Sequence, residues 1–586
     1  MPSTNQAAIA ESERLKALGN ELYMKGEYDA AHHQFSEAIK KNPENAILYA
    51  NRAAVLLATK QYLNAVYDCR KAVQLDPAYS KAWGRLATAQ HALASYPNAV
   101  EAWKEALSSL PTSNLTPAQA AMKLQFKQGL AKSALAARAD IETDLVVLQR
   151  GDGSSQDDGK QPWDMARKLT PRKEAEGRPT CVYLMNSALI GLKTAMDMLA
   201  QVQAKKDTRR GGEIITGPVK VIESFTNSSL TDDRVFHVTE GAQSWIKKME
   251  RQCYYENNVW KGWCTSGGPS FMKEDAVKRL RKEGWKGVRP ALATTVRIWL
   301  FQANFRAHMF GQRDFAHEMY TNALDILEWG RKTWPNVPAE ERGTMFEMSF
   351  IQGVKKAALL NMHSIVSSKG KDSPISLQEL IDAAESLIED VERNTLPQRA
   401  TFPLSHILAH WLYPRAIALS TLGWCYLEQG IGNYPANLSD PAAPMTDDDE
   451  ASLLSAAAEC YLSASQYLPY DDEMRVKFLR KHLECLCAAG KPLRETLPVA
   501  RQIREAGVPA LEIWGAGPHL GDGLRENLRE VREFEEKWEK EIREGRRGLD
   551  DVEAIGFLKK GVSNMVPVVI RDEDNGEEKE ETSSRQ

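Results

Sequence analysis

Cysteine is scarce in this chain: eight residues in 586, none of them in a CxxC pair. Cys485 and Cys487 stand one residue apart with no second pair to complete a zinc site. The eight therefore read as reduced thiols of a cytosolic protein, not as a disulfide framework. Basic excess is lacking too. With 75 Lys and Arg against 79 Asp and Glu, the formal net charge is -4, which argues against a nucleic-acid partner. No apolar run is long enough and clean enough for a bilayer. The best stretch, Cys181–Val202, is interrupted by Lys193 and Asp197 and reads as a buried helix, so no membrane insertion is expected. The opening residues carry Glu11 and Glu13 and no apolar segment, which predicts neither a signal nor a transit peptide.

Catalytic signatures are missing as well. The chain has no GxxxxGK[ST] phosphate cradle, no GxGxxG turn, no GxSxG elbow and no HExxH pair. The glycine-rich stretch Trp263–Ser270 reads as a loop. His406 and His410 share one helix face at i, i+4, but no carboxylate stands nearby in sequence, so core or interface histidines are the expectation. The basic run Lys273–Arg289 around Trp285 reads as a solvated helix face followed by a turn. Catalytic residues, metal ligands and cofactors are accordingly assigned to none of these positions, and the chain is expected not to be an enzyme.

What is present is a repeat. Three blocks, Ser12–Asn45, Ala46–Tyr79 and Ser80–Ser113, align at a period of 34 residues. Pro43, Pro77 and Pro111 close their turns. Small residues recur in register as Gly19, Ala53 and Ala87, then Ala31, Ala65 and Ala99, then Ala38, Ala72 and Ala106. Larger side chains recur as Leu15, Tyr49 and Trp83 and as Phe35, Cys69 and Trp103. This is the tetratricopeptide pattern, in which each unit is a helix–turn–helix unable to bury its apolar face alone. Three stacked units make a curved solenoid with a concave groove, and Thr116–Ala137 has the helical composition and Thr-Pro start of a cap.

The first helix of each unit lines such a groove. It places Lys16 and Asn20 from the first unit, Asn51 from the second, and Lys81 and Arg85 from the third on one surface. Five donors converge, three of them cationic, and no acidic residue occupies a facing position to neutralise them. This suits two carboxylates held close together, as at a C-terminal Asp, with an affinity of roughly -7 to -9 kcal/mol. The segments Lys16-Ala-Leu-Gly-Asn20, Asn51-Arg52 and Lys81-Ala-Trp-Gly-Arg85 resemble the dicarboxylate clamp of tetratricopeptide co-chaperones. The stress-induced organising protein and the small glutamine-rich tetratricopeptide protein are examples. The resemblance covers about Ser12 to Ala137. It implies a groove for the C-terminal EEVD peptide of cytosolic heat-shock chaperones of the seventy- and ninety-kilodalton classes. Ala92 and Thr88 leave the third-unit wall small, which bears on how the residues before the terminal Asp are read.

The expected fold is all-α. A flexible start (1–11) precedes three repeats plus a capping helix (12–147), an exposed linker (148–179) rich in Gly, Ser, Asp and Pro, and a larger helical domain (180–548). That domain carries two degenerate tetratricopeptide-like units, around Trp299–Trp334 and around Leu422–Pro469, the second split by a surface insertion at Gly430–Glu450. Strand alternation is confined to short pieces near Ile214–Phe225 and Met565–Ile570. Leu524, Leu528, Val531, Trp538 and Ile542 mark a long amphipathic helix docked on what precedes it, and the segment 549–586 ends in an acidic, disordered tail. The function expected is a cytoplasmic chaperone-binding adaptor whose second domain engages a client or receptor. The alternatives are a scaffold for a non-chaperone partner and an unrecognised enzyme in residues 180–549.

Overall fold

The computed structural model describes residues 4–150, 161–206, 213–237, 242–264, 267–396, 402–438, 445–515 and 518–552. The repeats form three helix pairs: α1 (Thr4–Met24) with α2 (Tyr28–Lys41), α3 (Ala46–Ala58) with α4 (Tyr62–Leu75), and α5 (Ser80–Ala92) with α6 (Tyr96–Ser108). The small residues sit where the pairs close. Ala31, Ala65, Ala99, Ala38, Ala72 and Ala106 are wholly buried, and a Cβ on Gly19 would fall 2.8 Å from the Phe35 ring. The cap is helix α7 (Pro117–Arg150), longer than its sequence signal. Its Phe126 lies against Trp103 with ring centroids 5.6 Å apart, and Gly129 clears the same indole.

The segment expected as an exposed linker differs over 162–175, where helix α8 (Pro162–Ala175) forms. Its polar composition concealed a Gln161–Asp164 capping box with Pro at the first position. Its Lys173 is buried because Tyr470 Oη lies 2.8 Å and Asp471 Oδ2 3.4 Å from Nζ. Residues 151–160 lie outside the described residues.

Beyond α8 the chain continues as α9 (Cys181–Leu199), which is the apolar run of the sequence. A two-stranded antiparallel ribbon follows, β1 (Gln203–Lys206) and β2 (Glu213–Thr216), with Gln203 opposite Thr216. The strand expected over Ile214–Phe225 stops at Thr216, since Val221 opens α10 (Val221–Thr231). Then come α11 (Ala242–Val259), α12 (Pro269–Phe310), α13 (Arg313–Thr333), the single turn α14 (Ala339–Arg342), α15 (Met348–Lys369) and α16 (Leu377–Arg393). The last are α17 (Leu404–Ile407), α18 (Tyr413–Gly430), α19 (Asp447–Tyr467), α20 (Glu473–Ala488), α21 (Leu493–Trp514) and α22 (Pro518–Arg543). The fold is all-α, and among the described residues no helix is long and apolar enough to cross a membrane.

Both degenerate repeats are helix pairs. In α12–α13, Phe315, Ala316, Tyr320 and Ala323 are buried, and Gly311 ends α12 in the left-handed conformation (φ 64°). In α18–α19, a Cβ on Gly423 would meet the Tyr461 ring at 3.1 Å. The turn expected within the basic run is a kink at Gly284 (φ 66°) inside α12, beyond which Trp285 packs edge-on against Trp334 at 4.9 Å. In the insertion, Gln429 Nε2 donates to the Pro435 and Ala436 carbonyls, while residues 439–444 are outside the described residues. Leu524, Val531 and Trp538 of α22 are buried against the neighbouring helices, and the acidic tail and Met565–Ile570 again lie outside.

The repeats are packed onto the later helices along α4 and α7. One apolar cluster runs from Ala65, Cys69 and Trp103 into Met272, Trp299 and Tyr320. Tyr67 stacks on Phe271 at 4.6 Å, and Asn64 Oδ1 accepts from the Ser270 backbone amide at 3.1 Å. In the other direction, the Leu63 amide donates to Glu318 Oε1 at 2.9 Å. Each side thus supplies an acceptor to a first-turn amide of the other's helix. Burial pushes the Glu318 carboxyl up to about 8.

Candidate functional site

Lys16 and Asn20 lie one turn apart on α1, Asn51 on α3, and Lys81 and Arg85 one turn apart on α5. Two hydrogen bonds tie these helices together at this level. Asn51 Nδ2 donates to Asn20 Oδ1 at 3.1 Å, and Arg85 Nη1 donates to the Ala50 carbonyl at 2.7 Å. Asn20 and Asn51 are therefore adjacent, and Arg85 lies across α3 beside them. Asn20 and Lys81 are exposed, whereas Lys16, Asn51 and Arg85 are half-buried.

The helices are held at this spacing by residues behind the surface. Gly84, next to Arg85, admits the Phe126 ring of α7, since a Cβ there would fall 2.5 Å from it. Trp83 Nε1 is fixed to the Pro77 carbonyl at 2.9 Å. Arg52, adjacent to Asn51, makes a bidentate pair with buried Asp68, both contacts 2.7 Å, and donates to Ser36 Oγ at 3.1 Å. That pair anchors α3 to α4 and α2 beside the Asn51–Asn20 contact.

One expectation needs correction. The surface is not free of acid, because Glu13, one turn before Lys16, forms an ion pair with its ammonium. The i, i+3 spacing on α1 allows this contact, and it was legible in the sequence. Arg52–Asp68 gave a weaker signal, since the two residues are 16 apart and face each other across a helix turn. Lys81 and Arg85 have no carboxylate within ion-pair distance among the described residues. The Asn20 amide nitrogen and four of the five Arg85 N–H groups are likewise without acceptors there. Chemically the surface offers directional donors from two amides and a guanidinium, together with two ammonium groups.

The residues weighed for other chemistry fall elsewhere. His406 on α17 and His410 on the π-helical turn after it have ring centroids 4.4 Å apart, tilted at 57°, and burial pulls His410 down to about 3. Among the described residues no group of three His, Cys, Asp or Glu is arranged to hold a metal ion. The eight cysteines are free thiols, and burial pushes Cys264 up to about 12 and Cys460 up to about 11.

These features define the class of the N-terminal region, a stack of tetratricopeptide repeats. The tetratricopeptide repeat family matches residues 16–80. Over 107 residues the chain is 38% identical to the small glutamine-rich tetratricopeptide repeat-containing protein 2 of Saccharomyces cerevisiae, covering 18% of this chain and 31% of that one. Over 103 residues it is 37% identical to the heat-shock protein cognate co-chaperone sgt12 of Aspergillus fumigatus, covering 18% and 30%. Among solved structures, the TPR2B-domain:pHsp70 complex of yeast Sti1 is 29% identical, covering 22% of this chain and 98% of that one, with a TM-score of 0.20. The repeats are homologous to those of co-chaperones of these types. The chain spans about a third of the length of the first two relatives, and the helices after α7 are unassigned by these matches.

Proposed function

We propose that the chain is a chaperone-binding adaptor, not an enzyme, and that Lys16, Asn20, Asn51, Lys81 and Arg85 clamp the C-terminal dicarboxylate of an EEVD-type peptide. The observation that carries this reading is the Asn20–Asn51 contact beside Arg85, with Lys81, on the same helix as Arg85, exposed and without a partner among the described residues. The chemistry fits. A terminal Asp offers two carboxylates within one residue, and charge-assisted bonds from amides, ammonium groups and a guanidinium match them. Related repeats support the partner class: one solved tetratricopeptide domain is described as bound to the HSP90 peptide SRMEEVD, another to the HSP70 peptide SGPTIEEVD. The partners proposed for this chain are heat-shock chaperones of the seventy- or ninety-kilodalton class, met in the cytoplasm. The helices from α8 onward would carry the client or receptor contact.

Calorimetric titration of the full chain with a peptide ending in MEEVD tests the clamp. Binding of about micromolar strength is expected, lost on C-terminal amidation and in Lys81→Ala and Arg85→Glu. Equal binding of the free and amidated peptides would overturn the clamp and leave a groove for a different partner.

A further inference from the structure

A second site is built into the helices that the repeat homology does not reach. Helices α10, α12, α13 and α15 enclose a cavity of about 60 Å³, walled by Leu230, Leu300, Phe301 and Leu360. That is room for on the order of five water-sized positions. Two cations line it. The Lys356 side chain is buried, and its Nζ donates one hydrogen bond, to the Leu230 carbonyl at 2.9 Å. Among the described residues no carboxylate lies within ion-pair distance of it, and none lies within that distance of the Arg313 guanidinium. The one acid lining the cavity, Asp233, has Oδ2 3.6 Å from His308 Nε2. Burial pulls the Lys356 ammonium below its ordinary range despite the opposing pull of Asp233 and Asp232, so an anion in the cavity would stabilise its charged form.

Asn361 supplies a third observation. It is 4% exposed, and its Nδ2 donates to the Arg313 carbonyl at 3.0 Å. Its Oδ1 has no hydrogen-bond partner among the described residues. A buried amide oxygen in that state calls for an O–H or N–H from whatever fills the cavity.

We infer that this cavity binds a short hydroxylated monocarboxylate, its carboxylate held by Lys356 and Arg313, its hydroxyl donating to Asn361 Oδ1, and its short carbon chain against Phe301 and Leu360. Lys356 and Asn361 both line the cavity from α15. Around Lys356 the other charged and titratable groups are Asp232, Arg234 and His410, and Asp232 is committed to Arg234 at 2.9 Å. The site is independent of the repeat groove and of the chaperone reading.

Ligand-observed saturation-transfer NMR on the full chain tests it, with β-hydroxybutyrate as probe beside β-hydroxybutyramide, butyrate and inorganic phosphate. Saturable binding of the hydroxy acid is expected in the millimolar class, about 1 mM. The amide should bind at least about tenfold more weakly, and Lys356→Met should abolish binding with the circular dichroism spectrum unchanged. Butyrate should bind several-fold more weakly than the hydroxy acid in the native chain, and Asn361→Leu should equalise the two. No saturable binding up to about 20 mM, equal binding of acid and amide, or displacement by phosphate would overturn the proposal. Should Lys356→Met fail to fold, the acid–amide comparison and Asn361→Leu decide it alone.

Discussion

Glu13 and Lys16 occupy one face of α1, and in the proposed clamp a peptide carboxylate would have to displace the first to reach the second. Both partners are partly exposed, at 47% and 21%, so the pair is screened and contributes about 0.2–1 kcal/mol. Glu13→Gln should therefore tighten an EEVD-type peptide by about two- to fivefold at low salt, with the gain shrinking as salt rises. An affinity unchanged at every ionic strength would show that Glu13 is no competitor. The helices that carry the five proposed clamp residues were legible because a 34-residue period fixes where each first helix lies. Glu13 was legible too, from its spacing to Lys16, yet counting only the facing positions passed over it. Arg52 was visible as the neighbour of Asn51, but its pairing with Asp68 depends on how α3 and α4 turn against each other. No local spacing encodes that rotation.

Elements meet through glycines whose missing side chains set the approach distance. Gly84→Ala would place a Cβ 2.5 Å from the Phe126 ring, so α7 must move off α5. We expect a loss of about 1–3 kcal/mol in denaturant unfolding. Gly523→Ala is the matched opposite: among the described residues a Cβ there would meet nothing within 4 Å beyond its own helix, and a gain of about 0.5–1 kcal/mol is expected. Equal responses of the two variants would mean that the α5–α7 approach is not close. Helix α8 shows why one element escaped the sequence reading. Polar composition suggested a linker, whereas its burial depends on Tyr470 and Asp471, about 300 residues further on, receiving Lys173. The α12 kink at Gly284 was anticipated only as a turn, because a glycine with positive φ between two helical stretches looks the same in sequence whether the chain turns away or resumes.

At the scale of the molecule, Glu318 joins the repeats to the rest. Its carboxyl is pushed from the ordinary 4.5 up to about 8, mainly by burial, so the native state keeps a proton that the unfolded chain gives up. That contribution is complete below about 4.5 and declines as pH rises. It is lost through about 8. Glu318→Gln keeps an acceptor for the Leu63 amide without the titration. It should be more stable than the native chain by at least about 1 kcal/mol at the upper end of that range, with the difference vanishing at the lower end. Parallel pH dependence in the two melting curves would refute this. The all-α class and the helix pairs were legible from periodicity, but the join between α4 and α12 was not, because both partners are ordinary amphipathic faces until they meet.

The join also bears on where the chain can be divided. Severed after α7, the repeats would lose Glu318 from the first turn of α4 and Phe271 from the face of Tyr67, leaving an aromatic flank bare behind the groove. A truncated fragment is thus a stickier object than the intact protein, prone to pair with its own copies through a surface that the whole chain keeps closed.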